Sequence, residues 1–280
     1  MLFGSVTLAE RIERAESELI AHGAAGRFTR AIGGGLAVFA GVHSPLTKVA
    51  GLGFAEGPSE AELAELERDF AARGAAAQIE LANLARAGLA ECLTQRGYLL
   101  SGFENVLARR LDPHERFSAR AGIEVERATA PEFDAWLDVV VDGFAAPDEQ
   151  GVASHEEFPR EELRRTMAEL ANARGFELYL ARREGVLAGG ASMHVGTQVA
   201  SAGGIVHLCG AATTPAHRRR GVQTALLERR LADAARRGFE LAVVITLPGS
   251  KSQENVQRRG FELVYTRAIL RLPPPTPPSP

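Results

Sequence analysis

The segment Thr213-Thr214-Pro215-Ala216-His217-Arg218-Arg219-Arg220-Gly221-Val222-Gln223-Thr224-Ala225-Leu226-Leu227 carries the most architectural information in this chain. It joins a strand-like run, 205–214, to a helical run, 221–237. Pro215 has no N–H to donate and blocks continuation of the strand. Val222, Leu226, Leu227, Leu231 and Ala234 recur at helical spacing and form one apolar face. The basic stretch 218–220 therefore ends where a helix begins. The first N–H groups of a helix have no intrahelical acceptor, and the helix dipole adds partial positive charge behind them. Such a terminus cradles anions, phosphates above all. Gly221 lets the backbone approach phosphate oxygens where a Cβ would intrude or forbid positive φ. Three arginines add charge complementarity toward a diphosphate. A helix start with solvated arginines has the same local pattern, since short glycine motifs recur by chance.

On the N-terminal side, residues 123–126 form a short strand pattern, and Pro131 opens a helix at its first position, running to about Phe144. Residues 159–173 predict a second helix, with Leu163, Met167 and Leu170 on one face. The runs 176–183 and 186–195 predict a hairpin turned by Glu184-Gly185. On the C-terminal side follow a buried strand, 240–246, and final strand segments flanking Gly260-Phe261 and ending at Leu272. This alternation predicts a layered α/β fold.

The chain also repeats itself. Arg73-Gly74 and Arg237-Gly238 each end a helical pattern. From these glycines, Arg96-Gly97-Tyr98-Leu99-Leu100 follows at a spacing of 23 residues, and Arg259-Gly260-Phe261-Glu262-Leu263 at 22. Val106-Leu107 and Ile269-Leu270 then fall at one common offset inside strand-like runs. Two copies of one α/β unit explain these landmarks. The first is trimmed: helix 11–21, strands 36–40 and 49–54, helix 59–73 and strand 78–84 leave little chain for an opening strand and helix. The join lies near 113–121, which divides the chain into residues 1–118, 119–272 and a proline-rich tail, 273–280. The tail reads as an extended, unpaired terminus or an SH3-type ligand.

With its surroundings, the central segment resembles the GNAT superfamily of N-acetyltransferases. The family motif Q/R-x-x-G-x-G/A matches Arg218-x-x-Gly221-x-Gln223, with Gln223 departing at the last position. The order strand, proline, basic loop, long helix, buried strand and closing Gly-Phe (here Gly260-Phe261) matches as well. The resemblance spans about Ile123 to Leu272, and reaches the first copy through the repeat. It implies a tandem protein whose units are each a mixed, mostly antiparallel twisted sheet flanked by helices.

The resemblance further implies acetyl-CoA as co-substrate and direct transfer of its acetyl group to an amine. The pyrophosphate-holding loop would be Arg218, Arg219, Arg220, Gly221, Val222, Gln223 and Thr224. Ala211, Ala212 and Thr213 occupy the positions that pair with the peptide-like pantetheine arm, on a strand usually bulged in the family. Histone-modifying members place a glutamate base four residues before that segment. His207 stands there, and imidazole titrates near neutrality; a strand histidine satisfied by hydrogen bonds is the alternative. The family's thiolate-protonating tyrosine falls on Val256, leaving Tyr265, on the following strand, as a substitute acid or a core residue. Ser252 and Asn255 lie where the family touches the pantetheine arm, Asn255 being equally suited to capping. Asp142, His155, Glu156 and Glu157 lie on or beside the early helices that border the family's amine pocket.

The first copy carries Gly57-Pro58-Ser59-Glu60-Ala61-Glu62 where the second carries 218–223. Two carboxylates would repel phosphates, and Ser59 with Glu62 forms a capping box that occupies the helix start. The first unit is therefore expected to be degenerate, a scaffold or a wall of the acceptor site. Gly33-Gly34-Gly35 precedes a strand instead of following one, which argues against a dinucleotide fingerprint.

Composition sets outer limits. The 280 residues are 45% hydrophobic and 24% charged, with a formal charge of −3, as in a globular protein. That balance argues against a general nucleic-acid or acidic-membrane binder. No apolar run approaches the ~18 residues that cross a bilayer. Cys92 and Cys209 lie far apart and suit neither a disulfide framework nor a metal cluster. The expectation is a cytoplasmic, metal-free N-acetyltransferase, monomeric or homodimeric, acting on a small-molecule or peptide amine. A non-catalytic CoA-sensing or interaction protein on the same fold is the alternative.

Overall fold

In the computed structural model, residues 2–118, 120–146, 152, 159–196 and 203–274 are described. The chain falls into two compact units, one holding Phe3–Asn105 with residues 264–274, the other Val106–Leu263 with Leu2.

In the first unit the elements run α1 (Val6–Gly23), β1 (Phe28–Ile32), β2 (Gly35–Phe39), β3 (Lys48–Ala50), α2 (Glu60–Ala72), β4 (Ala77–Ala82) and α3 (Leu89–Gln95), into β5 (Leu99–Arg110). The glycine triplet makes the β1–β2 hairpin, with Gly33 and Gly34 at φ 49° and 80°. β2 and β3 are antiparallel, β3 and β4 parallel at Val49 and Ile79. Leu63, Leu66 and Phe70, spaced three and four apart, bury one face of α2 into a core with Ile79 and Leu81. The Ser59–Glu62 capping box is present at the start of α2.

The second unit continues through β6 (Ile123–Arg127), α4 (Phe133–Ala145), α5 (Arg160–Asn172), β7 (Phe176–Arg183), β8 (Val186–Val195), β9 (Ile205–Thr213), α6 (Val222–Arg236), β10 (Leu241–Thr246) and α7 (Lys251–Gln257), into β11 (Glu262–Leu272). Its strands stand in the order β5-β10-β9-β8-β7-β6. Glu184 and Gly185, both at positive φ, turn the β7–β8 hairpin. α6 buries Val222, Leu226, Leu227 and Leu231 in one core. Trp136 and Val140 of α4 anchor another, where the Trp136 indole N–H donates to the Ala191 carbonyl at 3.0 Å.

The repeat is realised as α2-β4-α3-β5 and α6-β10-α7-β11, with Gly97 and Gly260 both in left-handed conformation before the closing strands. The units nevertheless do not divide at 118/119. Residues 106–110, from the first copy, stand beside β10. Residues 264–272, from the second copy, belong to the first unit and pair antiparallel with β4, from Arg267 opposite Ala82 to Leu272 opposite Ala77. A strand's free edge accepts any chain that supplies the ladder, so pattern along the sequence does not say which closing strand fills which edge.

Candidate functional site

The site arises where a parallel strand pair parts. β9 and β10 pair at Ile205–Leu241, Val206–Ala242 and His207–Val243. Beyond His207 the pairing ceases. On its other side β9 is bulged: Ser192 of β8 stands opposite Cys209, but Gly190 stands opposite Ala212, so β9 holds one residue more. Gly210 takes φ 58°, and a Cβ there would lie 2.7 Å from the Ser192 hydroxyl. The parted strands open a cleft of about 140 Å³.

Of the sequence-derived candidates, Ala211, Gln223, Thr224, Ser252 and Asn255 come together around this cleft, although they lie on β9, α6 and α7. Val256, at the position of the family's tyrosine, also faces it with an apolar side chain. Ala212 and Thr213 continue β9 past the lining, Ala212 buried. Val222 buries its side chain in the core of the unit.

The loop before α6 has the dihedral signature of an amide nest. Arg219 and Gly221 take φ 60° and 86°, both left-handed. Among the described residues, no backbone carbonyl accepts from the N–H groups of Arg219 through Thr224. α6 has no side-chain cap and no acidic residue in its first turn. Arg219 and Arg220 are exposed. Arg218 is turned inward instead, donating to the carbonyls of Thr213 (3.4 Å) and Ala146.

His207 is the last rung of the β9–β10 ladder, 3% exposed, opposite His194 of β8. Tyr265 is not in this cleft. It lies in the first unit, 3% exposed, its hydroxyl donating to Glu13 Oε1 at 2.6 Å. Asp142 is exposed on α4 and ion-paired with Arg160. His155, Glu156 and Glu157 lie outside the described residues.

Among the cleft residues that the sequence reading did not single out are Cys209 and Arg230. Arg230 is 2% exposed, and no carboxylate pairs with it among the described residues. Its Nη1 donates to the carbonyls of Ser192 (2.8 Å) and Cys209 (3.3 Å), its Nε to that of Leu226 (3.1 Å). Burial pulls its pKa down to about 10, partly opposed by Cys209 and Tyr179. A signal for it existed: Arg230 falls on the same helical stripe as Val222 and Leu226, where an apolar residue belongs. Among the described residues no side-chain cluster suits a metal ion, and no helix is long and apolar enough to cross a membrane.

A mixed sheet whose central parallel strands part, one bulged, beside a helix with a bare N-terminus is the fold of GCN5-related N-acetyltransferases. Residues 143–261 match the model of the acetyltransferase (GNAT) family. Its fold is similar to that of a GCN5-related N-acetyltransferase from Kribbella flavida, with TM-score 0.68 and 21% identity over 95% of this chain and 96% of that one. It is also similar to a conserved protein of unknown function from Staphylococcus epidermidis (TM-score 0.60, 9% identity, 89% and 95% covered). A tandem GNAT protein from the clavulanic acid biosynthesis pathway shares the fold at TM-score 0.53 and 16% identity, over 72% of this chain and 65% of that one. No curated protein matches the sequence.

Proposed function

We propose that the unit containing Val106–Leu263 is an N-acetyltransferase that moves an acetyl group from acetyl-CoA directly to an amine of a small molecule or peptide. One observation carries this: the run of amides without backbone acceptors at Arg219–Thr224 sits at the head of the cleft that β9 and β10 leave between them. A diphosphate satisfies those amides, with Arg219 and Arg220 adding charge. Below it, the β9 edge at Ala211, Ala212 and Thr213 has backbone groups unclaimed by β10, which suit a peptide-like arm laid alongside as an extra strand. Ser252 and Asn255 of α7 close the opposite wall. Acetyl-CoA supplies an activated thioester; the amine's new C–N bond replaces the C–S bond, and CoA leaves as the thiolate.

The chain's own residues then have two tasks. In this reading His207, the last paired residue before β9 and β10 part, takes the proton the amine must lose, through water. In this reading β9 amides beyond the ladder donate to the developing oxyanion. The Val256 side chain donates no proton, so the thiolate draws one from solvent. In the first unit, the capping box and the carboxylates of Glu60 and Glu62 hold the corresponding helix start against phosphate, which makes that unit a scaffold. Hydrogen bonds from Ser59 lower the Glu62 pKa from its ordinary value.

Calorimetric titration with CoA tests the reading, together with thiol release from acetyl-CoA over a panel of amines. Binding is expected for the native chain, abolished by Gly221→Glu and unchanged by Glu60→Arg. No binding at millimolar CoA overturns the assignment, and loss of activity in Glu60→Arg overturns the division of labour. CoA binding without thiol release for any amine would favour a non-catalytic CoA-binding protein, the reading that Val256 supports.

A further inference from the structure

We infer that Arg230 is a positioning residue which, with Ser192, holds the β9 bulge in the shape that receives the pantetheine arm. The inference rests on the acetyl-CoA reading of the cleft. A buried guanidinium with no carboxylate partner is costly, and an apolar side chain would satisfy the helix face on which Arg230 stands. What the cation does there is specific. Its assigned bonds all end on main-chain carbonyls, and two of these belong to Ser192 and Cys209, the residue pair facing each other across the ladder where the bulge begins.

A bulge takes carbonyls out of the regular ladder, and a buried carbonyl without a donor is destabilising. The Cys209 carbonyl instead receives two donors from outside the ladder, Arg230 Nη1 at 3.3 Å and the Ser192 hydroxyl at 3.1 Å. These bonds hold the Cys209 carbonyl toward β8 and α6. The chain then turns through left-handed Gly210, and Ala211, the next residue, lines the cleft. A side chain at position 210 would strike the same Ser192 hydroxyl, so the turn and the clamp occupy one small space. Without the clamp, β9 gains by losing its extra residue, and the edge facing the cleft shifts register. Arg230 thus acts on the donor through the strand.

The test compares Arg230→Met, Arg230→Lys and Ser192→Ala with the native chain. Donor KM and CoA Kd are expected to rise about 10-fold in Arg230→Met, the scale of losing a charged hydrogen bond. In the same variant the amine KM should stay within about 3-fold of native, kcat at saturating donor should fall because the shifted β9 amides also face the oxyanion, and Arg230→Lys should restore part of the affinity. Ser192→Ala removes the second donor without disturbing α6, so it carries the test if Arg230→Met fails to fold; its donor KM should rise by about 3-fold. Amide exchange at Cys209–Ala212, read without ligand, should quicken in Arg230→Met and in Ser192→Ala. Native donor affinity in folded variants with unchanged exchange overturns the inference, as does an equal loss of donor and amine affinity. Failure of the native chain to bind CoA defeats the acetyl-CoA reading instead, and the exchange data still decide whether Arg230 holds the bulge.

Discussion

Tyr265 shows how much a side chain's role depends on what stands opposite it. Its hydroxyl lies against Glu13, beside a fully buried Arg267 that bonds Glu13 at 2.7 Å and Glu80 at 3.5 Å. Burial raises the tyrosine pKa well above its usual value, Arg267 opposes this, and Glu13 raises it further. Burial would lower the pKa of Lys48 in the same cluster, but Glu80, Glu16 and Glu104 outweigh it and keep the ammonium charged. These groups hold α1 to its sheet. Tyr265→Phe is therefore expected to lower stability by about 1 kcal/mol in chemical denaturation while leaving donor KM and kcat at native values. A large loss of kcat in a stably folded variant would return Tyr265 to the reaction. Nothing local in the sequence announces Glu13 as its partner, since the two stand at opposite ends of the chain.

Helix and strand starts were the most legible features. Pro131 marks the beginning of a turn that leads into α4, and the strands around Glu184-Gly185 have the predicted limits. β1 and α3 were not foreseen. β1 has five residues with a mixed burial pattern, and α3 has seven residues opened by a glycine, both too short for periodicity to speak. The turn before α4 also yields a pH prediction. Glu132 accepts from the Thr129 backbone and hydroxyl and from Arg182 of β7, and these bonds lower its pKa from 4.5 to about 2. A depressed folded-state value means the contribution is complete above pH 4.5 and lost as the pH falls toward 2. Thermal melts of the native chain should lose midpoint across that window, and Glu132→Gln should flatten this part of the profile. Parallel profiles for the two proteins would deny Glu132 its role at the junction of α4 and β7.

The assignment of closing strands has consequences for how each unit unfolds. Leu107 belongs to the first copy by sequence, yet it is fully buried in the core of the second unit. Ile269 belongs to the second copy, yet it is 1% exposed opposite Glu80 in the first unit. Leu107→Ala should destabilise the unit that carries the cleft by about 2–5 kcal/mol, and Ile269→Ala the other unit by a similar amount. Hydrogen exchange resolved by unit checks this. Protection lost in the unit to which each residue belongs by sequence would contradict the observed pairing.

The residues alone specified the layered fold, the repeat, the helix that begins after Gly221 and the capped, acidic start of its counterpart. The two helix starts rest on neighbours within a few positions, where turn chemistry acts directly, and the repeat and the layering rest on the order and spacing of elements along the chain. The parting of β9 from β10, the arginine beneath the bulge, the burial of Tyr265 against Glu13 and the partners of the closing strands emerged with the folded chain. Those depend on which backbone edge and which charge meet across separations of 21 to 252 residues, and periodicity in one strand carries no record of its neighbour.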